Sequence, residues 1–401
     1  MKKLLTLAAS AALALATDSV CFGQHYIQTN LDGNVQGLAE ATDPQLVNGW
    51  GLARSSGSTW WVSDNGTGFA TLYDGGGAKQ KLVVTIPPNP NNKTTLTGSP
   101  TGMVANGSKT DFLLAKDRPA AFIFATLDGA IAGWNPNIAL EPGATPPSTH
   151  AVIAVKTRDG SAYTGLTTAF IHGRVYLYAA NFTRGRVDVF DNAFQPVNLR
   201  EEEADGREYN DERVDFGNRP FVDERLPRGF VPFNVQTIGN DIVVTYALHH
   251  EGAPSETAGP GLGYVDIYSS RGHLLKRLEH GDWLNAPWGV TLAPLDFGRF
   301  SHDLLIGQFA AGGTTESSGF IAAYDLATGK FDGLLEDASG KPLAINGLWA
   351  LSPGNVTPAN VDADELPASE IYFTAGPKEK TQGLFGYLTA VPEELTEGND
   401  Q

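Results

Sequence analysis

The chain has 401 residues and a formal net charge of −17 at pH 7. Nucleic-acid binding depends on a basic surface that displaces counterions, so this acidic chain is not expected to have a nucleic-acid partner. Its 46 glycines, 24 prolines and 18 % charged residues are typical of a globular β protein and argue against wholesale disorder.

The N-terminus predicts an export signal over residues 1–23. Lys2 and Lys3 precede an apolar run, residues 4–16, which is too short to span a bilayer and is followed by small residues. Cleavage after Ala16 or after Gly23 fits this pattern. A buried N-terminal helix is the alternative, but it does not explain the lysines before the apolar run. We therefore predict a secreted or periplasmic protein with no later membrane span.

A short motif recurs six times after this leader. It consists of a turn-like residue, a small or polar residue, Gly or Asn, and then an apolar strand. The copies lie about 50 to 70 residues apart, close to the length of a propeller blade. They are residues 48–53, 99–104, 163–166, 232–235, 286–290 and 345–349. The glycine is expected near the axis of a ring, where a side chain would clash with the neighbouring strand.

A second strand-like segment follows each copy, and third and fourth segments follow in most blades. Second strands are predicted at residues 60–62, 111–114, 174–178, 241–244, 303–306 and 370–373. Third segments often end in an aromatic–Asp pair before a turn, as at residues 321–325, and fourth segments follow, as at residues 331–335. Four short antiparallel strands repeated six times predict an all-β, six-bladed β-propeller over residues 24–390. A two-sheet sandwich is the alternative.

The two ends of the predicted propeller suggest how the ring closes. The last blade lacks an obvious fourth strand, and residues 25–30 are unassigned near the mature N-terminus. We expect residues 25–30 to form the missing fourth strand of the last blade, which would remove the exposed edge strands. The charged stretch 200–213 predicts a solvated loop, and residues 391–401 predict a flexible acidic tail.

An inner strand of a propeller begins at the face where the second strand ends. The repeat therefore predicts two rings of polar residues around one mouth of the channel, which is where a ligand pocket is expected. The residues predicted to bind a ligand there are Asn48, Asn65, Lys116, His249, Gln308 and Asn346. Trp50, Trp288 and Trp349 lie on inner strands and are explained by core packing, although a tryptophan at the mouth would also stack on a sugar.

A metal site is a second expectation for this mouth. Asp64, Asn181 and Asn234 offer oxygen atoms, which hard cations prefer, so we predict that they share one ion and that Ca²⁺ is the candidate. The alternative is that these residues cap turns at strand ends, as Asn and Asp commonly do. No Gly-x-Ser-x-Gly elbow, zinc-spaced His/Glu motif or phosphate loop is present.

Several segments carry a family resemblance: NGWG at 48–51, WVSDNGTG at 61–68, VPFNVQ at 231–236, NAPWG at 285–289, INGLW at 345–349 and YFTAGP at 372–377. They resemble an uncharacterised bacterial family of exported six-bladed propellers, similar to the NHL and gluconolactonase types, over residues 26–388. Some members carry a PEP-CTERM sorting tail, whose first residues are echoed at 391–394. The gluconolactonase likeness implies a metal held by Glu, Asn and Asp, but no glutamate lies on the first inner strand here.

The sequence therefore favours a non-enzymatic exported propeller that binds a small molecule, or an extracellular protein or glycan, at the channel mouth. The alternative is a metal-assisted hydrolase or lactonase that uses the Ca²⁺ site. A redox enzyme is a third, less favoured alternative. A ligand-binding role needs the mouth residues to converge, and the hydrolase also needs the three oxygen-bearing residues to meet.

Overall fold

The computed structural model describes residues 24–91, 96–199, 219–309, 319–354 and 370–394. Over these ranges the chain is a six-bladed β-propeller, as predicted, with one sheet per blade. The sheets are antiparallel except where β2 pairs parallel with β1 in blade 6. The predicted signal peptide, the stretch 200–213 and residues 395–401 lie outside the described residues. In the described part of the chain, no helix has the length and apolar character needed to cross a membrane.

The strands of the first three blades follow in chain order. The chain opens with β1 (Tyr26–Gly33) and β2 (Ala41–Thr42). Blade 1 contains β3 (Gly49–Ala53), β4 (Trp60–Asp64), β5 (Phe69–Tyr73) and β6 (Lys79–Thr85). Next come β7 (Pro100–Ala105), the hairpin strands β8 (Leu113–Ala115) and β9 (Arg118–Pro119), β10 (Phe122–Thr126), β11 (Ala130–Trp134) and β12 (Val152–Lys156). The third sheet has β13 (Tyr163–Ile171), β14 (Arg174–Asn181) and β15 (Arg186–Phe190) among the described residues.

The remaining blades repeat this order from the axis outwards. Blade 4 contains β16 (Phe230–Ile238), β17 (Asp241–Leu248), β18 (Gly263–Tyr268) and β19 (Leu274–Arg277). Blade 5 contains β20 (Pro287–Leu292), β21 (Leu304–Gln308), β22 (Ile321–Tyr324) and β23 (Phe331–Leu334). Blade 6 contains β24 (Leu348–Pro353), β25 (Ile371–Ala375) and β26 (Leu384–Ala390). Short helical turns cover Gly298–Phe300, Pro377–Lys380 and Pro392–Glu394.

The N-terminal strand closes the ring. Strand β1 pairs antiparallel with β26, from Tyr26 opposite Ala390 to Gly33 opposite Leu384, and so supplies the fourth strand of blade 6. This confirms the predicted closure. Just beyond β26, Glu394 accepts a hydrogen bond from the His25 backbone N–H at 2.7 Å, so the described start of the predicted tail is held to the propeller.

The glycines of the repeat lie where the inner strands approach one another. A Cβ atom on Gly51 would stand 2.2 Å from the Thr101 carbonyl oxygen, and one on Gly102 would stand 2.6 Å from the Leu166 nitrogen. Such contacts are far shorter than any real Cβ contact, so a side chain would force the inner strands apart. The physical reason proposed for the glycine column is therefore confirmed for Gly51, Gly102, Gly165 and Gly289. It does not hold for Gly347, which precedes β24, has a φ of 69° and meets the backbone of Gly376 in its own blade.

The apolar core lies between neighbouring blades. Adjacent residues of a strand point to opposite faces of its sheet, and β4 uses both faces. Trp60 packs against Tyr372 of blade 6 at 4.6 Å between ring centroids, and Trp61 stacks on Phe122 of blade 2 at 4.1 Å. Each blade is thus buried on both sides, which explains why its second strand is apolar at nearly every position.

The prediction of a second strand at residues 111–114 in blade 2 was wrong. The second strand is β10, which pairs with both β7 and β11. Every residue of β10 is buried, whereas β8 has exposed residues and pairs only with β9 in a small hairpin. Two apolar runs follow β7. The run whose two faces are both buried, β10, forms the second strand of the blade.

Replacing Gly102 by Ala should lower the free energy of unfolding by about 1–3 kcal/mol, because the added methyl overpacks the axis. Gly107→Ala is the matched control, because a Cβ there meets no atom within 4 Å. Urea unfolding followed by circular dichroism measures both variants. Equal stability of the two would contradict the close approach of the inner strands.

Candidate functional site

Aromatic side chains fill the channel at the face where the inner strands begin. Trp349 of β24 stacks on Trp50 of β3 at 3.6 Å and on Phe309, just after β21, at 4.0 Å between ring centroids. We call this cluster the aromatic plug. It consists of Trp50, Phe182, Phe233, Trp288, Phe309 and Trp349. The three tryptophans are at most 5 % exposed, so the core role expected for them is confirmed.

Hydrogen bonds between blades hold the plug in place. The Trp349 indole N–H donates to Asn48 Oδ1 at 2.8 Å, and the Trp288 indole N–H donates to the Thr164 carbonyl at 3.0 Å. The Trp50 indole N–H is buried and has no hydrogen-bond partner among the described residues. The plug is therefore rigidly positioned, with one donor left unused.

The channel is narrow beside the plug. A cavity of about 20 Å³ is lined by residues of all six inner strands. Met103, Leu166 and Val290 form part of its wall, and Trp288 lines both the cavity and the plug. Asn234 and Gln236 also line the cavity, and the lining is more polar than apolar, so the space left along the axis is small and largely polar.

Two of the predicted ligand-binding residues join blade 1 to its neighbours at this face. Asn48 donates to Asn65 Oδ1 at 3.0 Å and accepts from the indole N–H of Trp349, so both ends of its amide are used. Asn65 donates in turn to the Pro100 carbonyl of blade 2 at 3.1 Å. These amides link the blades around the plug.

Three more of the predicted residues lie at the same face. Gln308, which precedes Phe309, is 1 % exposed and accepts from the Asn285 backbone N–H at 2.9 Å. The ring of His249 packs against Phe182 at 4.6 Å between centroids. Asn346 is at the start of blade 6, where its Oδ1 accepts a hydrogen bond from the backbone N–H of the residue after Pro377. The structure thus brings these residues together around the plug.

Lys116 is the exception, and its predicted place at the channel mouth was wrong. It lies exposed in the turn between β8 and β9, because the run that precedes it is not the second strand of blade 2. That hairpin is anchored towards blade 3, where Phe112 packs on Phe194 at 5.2 Å and its N–H donates to the Asn192 carbonyl at 2.7 Å.

The three residues expected to share a metal ion belong to separate contacts. Asn181 donates to Ser161 Oγ at 2.9 Å and to Asp188 Oδ2 at 2.7 Å. Asn234 donates to the Trp288 carbonyl at 2.7 Å. Asp64 lies in blade 1, apart from the contacts of Asn181 and of Asn234. The three side chains are therefore not brought together as expected. In the described ranges, no group of three or more His, Cys, Asp or Glu side chains is placed to hold a metal ion.

The side chain of Asp64 is fully buried at the end of β4. Burial raises the pKa of its carboxyl well above the ordinary value, and the nearby Thr71 offsets this only in part. Neither carboxyl oxygen has a partner with hydrogen-bond geometry among the described residues. A carboxyl in this environment favours its neutral form.

Lys380, a cation at the plug, was not among the residues predicted for this face. The Lys380 ammonium lies 4.7 Å from the ring centroid of Phe309, 5.4 Å from that of Trp349 and 5.8 Å from that of Trp50. It also lies 2.9 Å from Oε1 of Glu256, in the loop after β17. The predicted residues at second-strand ends include none from blade 6. The rule that second strands end at the mouth, used on blade 6, would have pointed to the loop after β25, which carries Lys380.

The comparisons with known proteins extend along most of the chain. No family model matches it. It is 28 % identical to an uncharacterised protein of Acanthamoeba polyphaga mimivirus over 364 residues, 89 % of this chain and 78 % of the relative. It is 27 % identical to a second one over 361 residues, 88 % of this chain and 82 % of the relative. These viral relatives give no support to a bacterial origin or a PEP-CTERM tail.

Among solved structures, the chain is similar to a protein of unknown function from Bacteroides thetaiotaomicron VPI-5482. The TM-score is 0.51 at 10 % identity, and the match covers 92 % of this chain and 77 % of that one. At this identity the likeness concerns the fold alone, because one fold carries many functions.

Asp64→Asn should raise the free energy of unfolding at pH 7 by about 1–3 kcal/mol, because the folded state no longer has to bury an ionisable carboxyl. The folded-state pKa is raised, so the carboxyl favours folding at low pH and this contribution is lost as pH rises above about 4. Unfolding measured between about pH 4 and pH 8 should show the variant's gain shrink towards the acidic end.

The exposed Glu141 provides the control for this experiment, since Glu141→Gln should change stability little at any pH. A uniform loss of stability in Asp64→Asn across the pH range would mean that Asp64 is ionised and well partnered.

Proposed function

We propose that this chain is an exported binding protein whose ligand is taken up at the mouth face of the ring, against the aromatic plug. The proposal includes secretion or periplasmic delivery through residues 1–23. Its ligand is a small molecule or a group presented by an extracellular protein or glycan.

The observation that carries the proposal is the convergence of blades at one small surface. Phe309, Trp349 and Trp50 come from three blades, and the carboxylate of Glu256 comes from a fourth. Ligand sites are typically built from apolar and aromatic surface with a few polar groups that fix orientation. Core packing accounts for the buried rings, but a carboxylate and an ammonium placed over them go beyond what packing requires.

Binding is favoured over catalysis by how the polar groups are used. Asn48 and Gln308 each use both ends of their amides in hydrogen bonds within the protein. Groups committed in this way fix the floor of a site and are poorly placed to move protons. The residues on which the hydrolase alternative depended lie in separate contacts, so no observation favours that chemistry.

A ligand screen by thermal shift and tryptophan fluorescence tests the proposal, because the plug holds three of the seven tryptophans. Any ligand found should bind at least about fivefold more weakly to Phe309→Leu, which keeps apolar volume but loses the aromatic face.

The matched control is Lys116→Ala, in the β8–β9 turn away from the plug, and it should bind like the wild type. Affinities that change in Lys116→Ala and stay the same in Phe309→Leu would place the site elsewhere. A screen without any hit on the folded wild type would count against the proposal itself.

A further inference from the structure

The ammonium of Lys380 occupies a cage built for a cation. Three aromatic rings have their centroids within 6 Å of its nitrogen, which is the range in which cation–π attraction acts. The rings belong to the plug, whose positions are fixed by stacking and by hydrogen bonds between blades. The cage is therefore preformed and does not depend on the side chain that fills it.

The fourth wall of the cage is a carboxylate that requires a cation. The Glu256 side chain is only 4 % exposed, and its Oε1 lies 2.9 Å from the Lys380 nitrogen. An ionised carboxylate buried to this extent is costly unless an opposite charge accompanies it. The two residues come from the loops of blades 4 and 6, so the ion pair joins two blades that are separated by blade 5.

The backbone that delivers Lys380 is unfavourable. Lys378, Glu379 and Lys380 are three consecutive residues with positive φ, at 51°, 57° and 67°. Residues other than glycine rarely adopt this left-handed conformation even singly. The turn is kept in place by Asn346, which accepts from the Lys378 N–H at 3.1 Å. Release of Lys380 from the cage would let this turn relax.

The occupant can be reached from solvent, whereas the cage walls are buried. The Lys380 side chain is 28 % exposed, while Trp50, Trp349 and Phe309 are each at most 2 % exposed. The net charge of −17 also attracts cations towards the surface. A free cation therefore has both a route to the site and a driving force to enter it.

Resting on the proposed function, we infer that the mouth is a recognition site for a small primary alkylammonium compound and that Lys380 is its resident competitor. The ligand's ammonium takes the place of the Lys380 ammonium beside the rings of Phe309 and Trp349 and pairs with Glu256. Displacement frees the loop after β25, and the tethered lysine sets the concentration at which a ligand can compete.

Titration with n-butylammonium chloride, followed by tryptophan fluorescence and Tm, tests this inference on the full chain. In Lys380→Ala the cage has lost its competitor, and butylammonium should bind at least about tenfold more tightly than to the wild type. The neutral n-butanol should not bind either protein. Adding Glu256→Gln to Lys380→Ala should weaken butylammonium binding by at least about tenfold, because the paired charge is lost.

Lys380→Met serves where Lys380→Ala does not fold, because it keeps the unbranched stem and removes only the charge. Equal affinities of the wild type and the lysine variants for butylammonium, or equal effects of butylammonium and butanol, would overturn the inference. If a neutral compound binds the wild type and is lost in Phe309→Leu while butylammonium binds no variant, the inference fails and the proposed function stands. If neither kind of compound binds, both fail.

Discussion

Close approach of the inner strands around a single axis is the constraint on which the rest of this structure depends. At Gly51 and Gly102 the next inner strand comes so near that no side chain fits. The strands then have to be joined across the gaps between sheets, and polar side chains at their ends do this. The hydrogen bond from Thr101 Oγ1 to the Tyr163 carbonyl, at 2.7 Å, is one such link.

This use of polar groups explains the character of the mouth. Where the strands begin, the amides of Asn48 and Asn234 bond to the neighbouring blade, and large aromatic rings fill the space that remains. The floor of the mouth is therefore aromatic and buried. Glu256 and Lys380 bring charge to it from the loops. A rigid floor with charged loops above it suits selective binding better than proton transfer.

Much of the fold could be predicted because it depends on local sequence patterns. Strand alternation, turns and the recurring glycine are short-range features, so the number of blades followed from counting them. Closure of the ring by β1 could be predicted because the last blade lacked a fourth strand of its own. The prediction failed at residues 111–114, where two apolar runs compete for one strand position. Burial of both faces decides that competition, and it is a property of the packed neighbours.

The sequence by itself determined the architecture and which face gathers polar and aromatic residues, because the period of the repeat fixes where each strand starts and ends. Only the tertiary structure decided which side chains meet. It set Asp64 and Asn181 in different contacts, because the Asp64 carboxyl lies beside Thr71 of β5 and the Asn181 amide donates to Asp188 of β15, each on the third strand of its own blade. It also paired Lys380 with Glu256 across the ring, a contact between distant loops that no local pattern encodes.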